Sequence, residues 1–288
     1  MKIKMNINDK NTLFVIFSYN RTTELKTCLS SLFKNAPSAQ CIVFDDGSVT
    51  LETHEILKSY EKSFTQIIWQ KFEPKMNTRG RLAENIQSAY DMALEQKFEY
   101  MFFIQDDMQF VRPFDRHIKN QYSEIFLKDE TIIQIDPRFL RDLGHIEIDA
   151  SLNAYRFPDG DDRSSFADVG IFSVTRLKKL NWTFEATERK NKVKAHSLGL
   201  KRIFPFSPIF MHVPYPVIYR KGKIRNKFPS PFVTRGKVLF EDMNVHEQRA
   251  MDNRPIEQIP YTKSFLKPLN LGLAKMHYRY SKENKIYC

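Results

Sequence analysis

TLFVIFSYNRTTELKTCLSSLFKNAPSAQCIVFDDGS, residues Thr12–Ser48, changes its hydrophobic period twice within one stretch. Leu13–Phe17 is a continuous apolar run, the signature of a strand buried on both faces. Leu25, Cys28, Leu29, Leu32 and Phe33 then fall on one helical face, and Pro37 ends the pattern. Gln40–Asp46 returns to a short apolar run and closes on two carboxylates. Strand, helix and strand in this order read as a β-α-β unit with parallel strands.

The same alternation continues outward. Gly47–Lys62 is expected to hold a second helix, Phe64–Gln70 a third strand, Arg81–Gln96 a third helix and Glu99–Gln105 a fourth strand. In the third helix Leu82, Ile86, Ala89 and Ala93 recur at helical spacing, with Gly80 just before it. This order over residues 12–107 implies an α/β fold: a mostly parallel central sheet with helices on both faces.

Composition sets the outer limits. At 42% hydrophobic and 13% aromatic residues, the 288-residue chain can bury a sizeable core, and one α/β domain accommodates that length. Its apolar runs reach about five residues, far short of the roughly 18 that read as a membrane span. The opening MKIKMNINDKN shows no apolar signal region, and Cys28, Cys41 and Cys288 have no metal-like spacing. Reduced thiols and a cytoplasmic location are the expectation. The net charge of +11 favours an anionic partner, such as a nucleotide, a phosphorylated lipid or a membrane surface.

Polar groups gather where open α/β sheets place their sites, outside the carboxyl ends of the strands. The first strand ends in Ser18-Tyr19-Asn20, the second in Asp45-Asp46-Gly47-Ser48 and the fourth in Asp106-Asp107. Two adjacent anions at the end of a buried strand repel one another and lose hydration. They need a counter-charge, from basic side chains or from a bound cation. Arg79 and Arg81 precede a helix whose N-terminal N–H groups favour an anion, which makes them candidates for contact with a base or diphosphate.

The segments VIFSYNRTTELKTCLSSL, IVFDDGS, NTRGRLAENIQSAYDMAL and FFIQDDM, in this order and spacing, resemble a family 2-type glycosyltransferase of the GT-A fold over about residues 12–110. The resemblance implies a Rossmann-like nucleotide-binding half and a mixed acceptor half. It implies that Ser18, Tyr19, Asn20, Asp45 and Asp46 hold the base and ribose of a nucleotide-diphosphate sugar, a UDP-sugar being the commonest donor. The fourth-strand pair stands where relatives carry a D-x-D element holding Mn²⁺ or Mg²⁺ on the diphosphate. Here it reads Gln105-Asp106-Asp107-Met108, with Asp107 placed on the metal and Asp106 on the metal, ribose or sugar.

The second half is read through the same resemblance. ADVGIFSVTRLKKLNW would bring Asp168 and Gly170 against the donor sugar. Counting back eleven from Gly199 puts Glu188 in the place of the catalytic base, with Glu185 as competitor, and His212 would complete the metal shell. A carboxylate base is needed because an acceptor hydroxyl attacks poorly until its proton is removed. The implied organisation is one catalytic domain over 1–215 (12–110 for the nucleotide-sugar, 111–215 for the acceptor), followed by a basic extension over 216–288. Arg220–Lys237 holds seven lysines and arginines, no acid, and Phe228 and Phe232. That composition suits a solvated loop, a lid over the diphosphate, or peripheral contact with the anionic inner face of a membrane.

The resulting expectation is a metal-dependent, inverting transferase acting on a hydroxyl of a glycan or lipid-linked acceptor, in surface-polysaccharide synthesis by analogy. A nucleotidyltransferase would want a glycine-rich loop after the first strand, and FSYNRTTEL has none. A nucleic-acid-binding protein would spread its basic residues along one recognition element. Here they concentrate in one late segment, so no nucleic acid is expected.

Overall fold

The computed structural model describes residues 6–70, 81–140, 146–214, 216–220, 223–224, 239–262 and 278–280. The first half follows the expected order: β1 (Thr12–Ser18), α1 (Thr22–Asn35), β2 (Gln40–Asp45), α2 (Leu51–Ser59), β3 (Gln66–Trp69), α3 (Leu82–Glu95) and β4 (Tyr100–Gln105). These four strands are all parallel, side by side as β3-β2-β1-β4, so their carboxyl ends share one rim.

Strand alternation shows why the sheet is covered on both sides. Phe14 and Ile16 of β1, with Phe102 and Ile104 of β4, join the α1 residues Leu25, Cys28, Leu29 and Leu32 in one core. Leu13, Val15, Met101 and Phe103 point the other way, onto Ile86, Ala89, Tyr90 and Ala93 of α3. Successive strand side chains alternate in direction, so a run that is apolar at every position requires apolar cover on both faces.

The second half is mixed. It comprises β5 (Met108–Phe110), α4 (Arg116–Lys128), β6 (Ile132–Ile135), β7 (Glu147–Asp149), β8 (Ala154–Arg156), β9 (Gly170–Ser173), α5 (Val174–Lys179), α6 (Glu188–Ser197), β10 (Lys201–Pro205) and β11 (Phe210–His212). Among the described residues the central sheet has nine strands, ordered β3-β2-β1-β4-β9-β6-β10-β8-β7. Strand β9 runs antiparallel to β4 on one side and β6 on the other. A separate ribbon of β5 and β11 sits beyond β4 and sets His212 opposite Met108.

The second helix is shorter than its sequence pattern suggests. Residues 47–50 form a turn, because the Asp45 carboxylate accepts hydrogen bonds from both Ser48 N and Ser48 Oγ at 2.7 Å. A side chain that satisfies nearby backbone in this way competes with helix formation.

Beyond residue 215 lie the short strands β12 (Tyr219–Arg220) and β13 (Lys223–Ile224), then α7 (Val245–Asp252), β14 (Pro260–Thr262) and β15 (Tyr278–Tyr280). Apart from the backbone of those two short strands, the basic stretch 220–237 lies outside the described residues. Residues 240–261 pack into the main body. Phe240, Met243 and Met251 share a core with Val111, Phe139 and Met211, and Ile259 and Tyr261 share another with Tyr155 and Phe204. The buried Arg112 guanidinium donates to both oxygens of Asp252, at 2.9 and 2.7 Å. No helix among the described residues is long and apolar enough to cross a membrane.

Candidate active site

The rim of β1, β2 and β4 brings the expected polar groups together. The chain leaves β4 with Asp106 N donating to Phe17 O, which ties the carboxylate pair to the end of β1. Asp106 Oδ2 accepts from Tyr19 N at 2.8 Å, and Oδ1 accepts from Arg21 Nη1 at 2.6 Å. The same Arg21 nitrogen lies 3.1 Å from Asp107 Oδ2. Within this structure, then, the counter-charge for the pair is a basic side chain.

The energetics match that geometry. Burial pushes the Asp106 carboxyl above the ordinary carboxylate range, with Arg21 opposing the shift and Asp107 adding to it. Burial alone would lower the Arg21 pKa, but the two aspartates outweigh it and hold the guanidinium firmly charged.

Asp107 also faces the second half of the molecule. Its backbone carbonyl accepts from Val213 N at 2.7 Å, and its Oδ1 lies 3.0 Å from His212 Nδ1. On the other edge of that ring, Nε2 lies 3.0 Å from Arg138 Nη1. A guanidinium can only donate, so Nε2 accepts and the ring proton sits on Nδ1, directed at Asp107. Arg138 is fixed in turn by Asp136, which accepts from its Nε at 2.8 Å and Nη2 at 2.5 Å. Burial raises the Asp136 pKa, but Arg138 and Arg202 more than offset it and hold that carboxyl below the usual range.

Several expected nucleotide contacts are engaged in building the rim. Asp45 is 1% exposed and both its oxygens serve the Ser48 turn. Ser48 Oγ accepts from Asn20 N, and Asn20 Oδ1 accepts from Val49 N, both at 2.8 Å, stitching β1 to β2. Asp46 is half-buried, and its carboxylate accepts from Arg81 N at the start of α3 at 2.9 Å. An internal anion thus already uses that helix terminus, and burial raises its pKa. Arg81 directs Nη1 to Gln70 Oε1 at 2.9 Å. Ser18 Oγ is buried and has no hydrogen-bond partner among the described residues. Arg79 lies outside the described residues.

In the later half of the chain, Glu188 opens α6 behind the N-cap Thr187 and pairs with Lys192 Nζ at 3.0 Å. Its side chain is 44% exposed, and that of Glu185, which faces Lys194, is 38% exposed, so both carboxylates are open to solvent. Asp168 is half-buried. Burial and then the charge of Glu188 raise its carboxyl to about 7. Asp168 lies two residues before β9, whose Gly170 pairs with Phe103 of β4, and it feels the charges of Glu188, Lys192 and Arg138.

Gly170 has φ +104°, and a Cβ there would lie 2.5 Å from the Ile135 carbonyl oxygen. The absence of a side chain is therefore required by the neighbouring strand β6, a local reason that the sequence expectation of close approach to a sugar did not contain.

Sequence reasoning passed over Arg21 and Arg138. Neither carries a spacing signal, since Arg21 meets a carboxylate 85 residues away and Arg138 an imidazole 74 residues away. A cleft of about 400 Å³ at the ends of β2 and β3 is lined by the expected Asp45 together with Gly47, Ser48, His54, Lys58, Trp69 and Gln70, of which His54, Lys58, Trp69 and Gln70 were not anticipated.

Residues 13–122 match the sequence model of the family described as "Glycosyl transferase family 2". Among solved structures, the chain is similar to TarS 1-349 of S. aureus, at 13% identity and a TM-score of 0.44, covering 69% of this chain and 59% of that one. The same fragment in complex with UDP gives 14% identity, a TM-score of 0.47 and coverages of 69% and 59%. The mannosyltransferase PcManGT from Pyrobaculum calidifontis, in complex with GDP-Man and Mn²⁺, gives 13%, 0.44, 71% and 57%. The chain thus spans less than two thirds of the length of each. No curated protein matches it. The matched stretch contains β1, β2, β4 and the turns that carry Arg21, Asp46, Asp106 and Asp107, so the likeness to glycosyl transferase family 2 falls on the part of the fold that builds the rim.

Proposed function

We propose that this protein is a metal-dependent, inverting glycosyltransferase. It moves a sugar from a nucleotide-diphosphate sugar, a UDP-sugar by first expectation, to a hydroxyl of a glycan or lipid-linked acceptor. The observation that supports this most is the Asp106–Asp107 pair with its cationic neighbour Arg21, near a second carboxylate set, Asp168 and Glu188, contributed by the later half of the chain, with the charge of Arg138 acting on both sets.

The donor side fits a divalent ion by its chemistry. Hard cations such as Mn²⁺ and Mg²⁺ at nucleotide sites take one or two carboxylates and complete their shell with substrate phosphates and water. Asp106 and Asp107 provide those oxygens, with His212 adjacent. Among the described residues no three carboxylate, imidazole or thiol groups form a ready-made cage, consistent with a site that the diphosphate itself completes. When bound, such an ion neutralises charge that builds on the departing diphosphate.

The chain's own residues divide the remaining work. Tyr19 N, Asp46 and Arg81 shape the nucleotide side of the rim. Arg138, locked by Asp136, brings fixed positive charge between Asp107 and the acceptor side, where its guanidinium also feels the charge of Glu188. Glu188 removes the acceptor proton as the acceptor oxygen attacks the anomeric carbon from the face opposite the diphosphate, which inverts the anomer. Glu185 is the competing base. The stretch 220–237 is assigned the lid or inner-membrane contact.

A panel of nucleotide-sugars incubated with Mn²⁺ and candidate glycan acceptors tests the reading, with product configuration read by NMR. Metal-dependent transfer with inversion is the expected result; retention of configuration, or equal turnover in EDTA, would overturn it.

A further inference from the structure

Arg21 is placed where a small cation bridging the two aspartates would be. A single nitrogen, Nη1, stands 2.6 Å from Asp106 Oδ1 and 3.1 Å from Asp107 Oδ2. The opposite oxygens are turned away by other partners: Asp106 Oδ2 takes Tyr19 N, and Asp107 Oδ1 faces His212 Nδ1. Those contacts orient the two carboxylates so that one oxygen of each converges on the arginine. Its buried Nε has no hydrogen-bond partner among the described residues. An unsatisfied buried donor on a charged group is costly, and it leaves Arg21 with a reason to move when an oxyanion arrives.

We propose that Arg21 is the resident counter-cation of the Asp106–Asp107 pair and that a divalent ion must displace it to bind there. This rests on the donor-site reading given above. The physical argument is charge balance. Two carboxylates and one guanidinium leave a net charge of about −1, and an incoming divalent ion meets a fixed positive charge at contact distance from both of its oxygen ligands. A diphosphate changes that balance. It offers the planar guanidinium a bidentate oxyanion partner while the ion takes its place on the carboxylates. Arg21 is thereby a positioning residue that makes metal binding follow the diphosphate.

The test is calorimetric titration with MnCl₂ alone, and with MnCl₂ in the presence of UDP or GDP, on the full chain. Wild type should bind Mn²⁺ alone weakly and at least about ten-fold more tightly once a nucleoside diphosphate is present. Arg21→Gln, which removes the competing charge, should bind Mn²⁺ alone at least about ten-fold more tightly than wild type, while Arg21→Lys restores weak binding. Folding of each variant is followed by circular dichroism. Folded Arg21→Gln that binds Mn²⁺ no more tightly than wild type overturns the proposal. Should that variant fail to fold, wild-type Mn²⁺ affinity that is indifferent to UDP and GDP overturns it equally. Tighter Mn²⁺ binding by Arg21→Gln without binding of either nucleotide would support the counter-cation and remove the donor reading, so the two fail separately.

Discussion

The two carboxylate sets of this site live in different electrostatic surroundings. Asp106 and Asp107 are buried, 3% and 5% exposed, and share Arg21. Asp168 and Glu188 sit at the other side of the rim with Lys192 as their near cation, and Glu188 raises the pKa of Asp168. Burial and a like charge raise the Asp106 carboxyl as they raise that of Asp168, so what separates the sets is partner and access: Asp106 and Asp107 share the Arg21 guanidinium inside the rim, while the Glu188 carboxylate is open to solvent. That difference suits the first set to holding charge and the second to meeting an incoming hydroxyl.

The most severe way to break it is Asp107→Ala. Turnover should be abolished and Mn²⁺-dependent binding of UDP strongly weakened, whereas Arg21 keeps Asp106 as partner and the fold should lose no more than about 1–2 kcal/mol. Calorimetry with UDP and Mn²⁺, beside a denaturant melt, checks both halves of that statement.

Glu188→Gln probes the second set. The amide keeps the shape but accepts no proton, so the transfer rate should fall about 10²–10⁴-fold with donor affinity intact. A near-normal rate in this variant, with the loss appearing in Glu185→Gln, would move the base to the neighbouring carboxylate.

The scaffold between the sets is open to a packing test. Gly170→Ala places a Cβ against the Ile135 carbonyl at a positive φ, and stability should fall by about 2 kcal/mol or more. Because Asp168 lies two residues before β9, the chemistry proposed for Asp168 and Glu188 should suffer more than nucleotide binding. Equal stability of this variant and wild type in urea would show that β9 and β6 separate easily.

The smallest effect is a pH dependence. An acid whose pKa is about 7 in the folded state and near 3.8 unfolded binds more protons folded than unfolded across that window. Stability from this group is therefore lost as pH rises from about 4 to 7. Asp168→Asn removes the effect, so the variant should gain on wild type as pH increases, measured by paired urea melts at pH 4.5 and 8. Glu188→Gln should lower the pKa of Asp168 and weaken the trend. A difference between Asp168→Asn and wild type that is constant with pH would mean that Asp168 is not perturbed.

The parallel half was legible because its cause is local. The run Leu13–Phe17 and the helical recurrence of Leu25, Cys28, Leu29 and Leu32 each report burial through periodicity alone, and both are buried as expected. The aspartate pair was legible as a charge problem, since two anions after an apolar strand require an answer whatever the fold. Its answer was not. Arg21 lies 85 residues from Asp106 in the chain, and nothing in its neighbours marks it as their partner.

The same limit governs the later residues. Asp45 was read as a ligand contact, and only the fold showed that its oxygens also hold the Ser48 turn while the residue lines the cleft at the ends of β2 and β3. The tautomer of His212 follows from Arg138 on one side and Asp107 on the other, which no stretch of sequence contains. The late segment 240–261 read as part of a basic extension, yet its Phe240, Met243 and Met251 complete a core with residues 111, 139 and 211. By itself the sequence determined the alternation of strand and helix, the family resemblance of its first half and the rim where charge collects, because periodicity and short motifs are properties of neighbours along the chain. Which cation answers which carboxylate, and why Gly170 must lack a side chain, were decided by the tertiary structure, because Coulomb forces and steric contact act through space between segments that the chain keeps far apart.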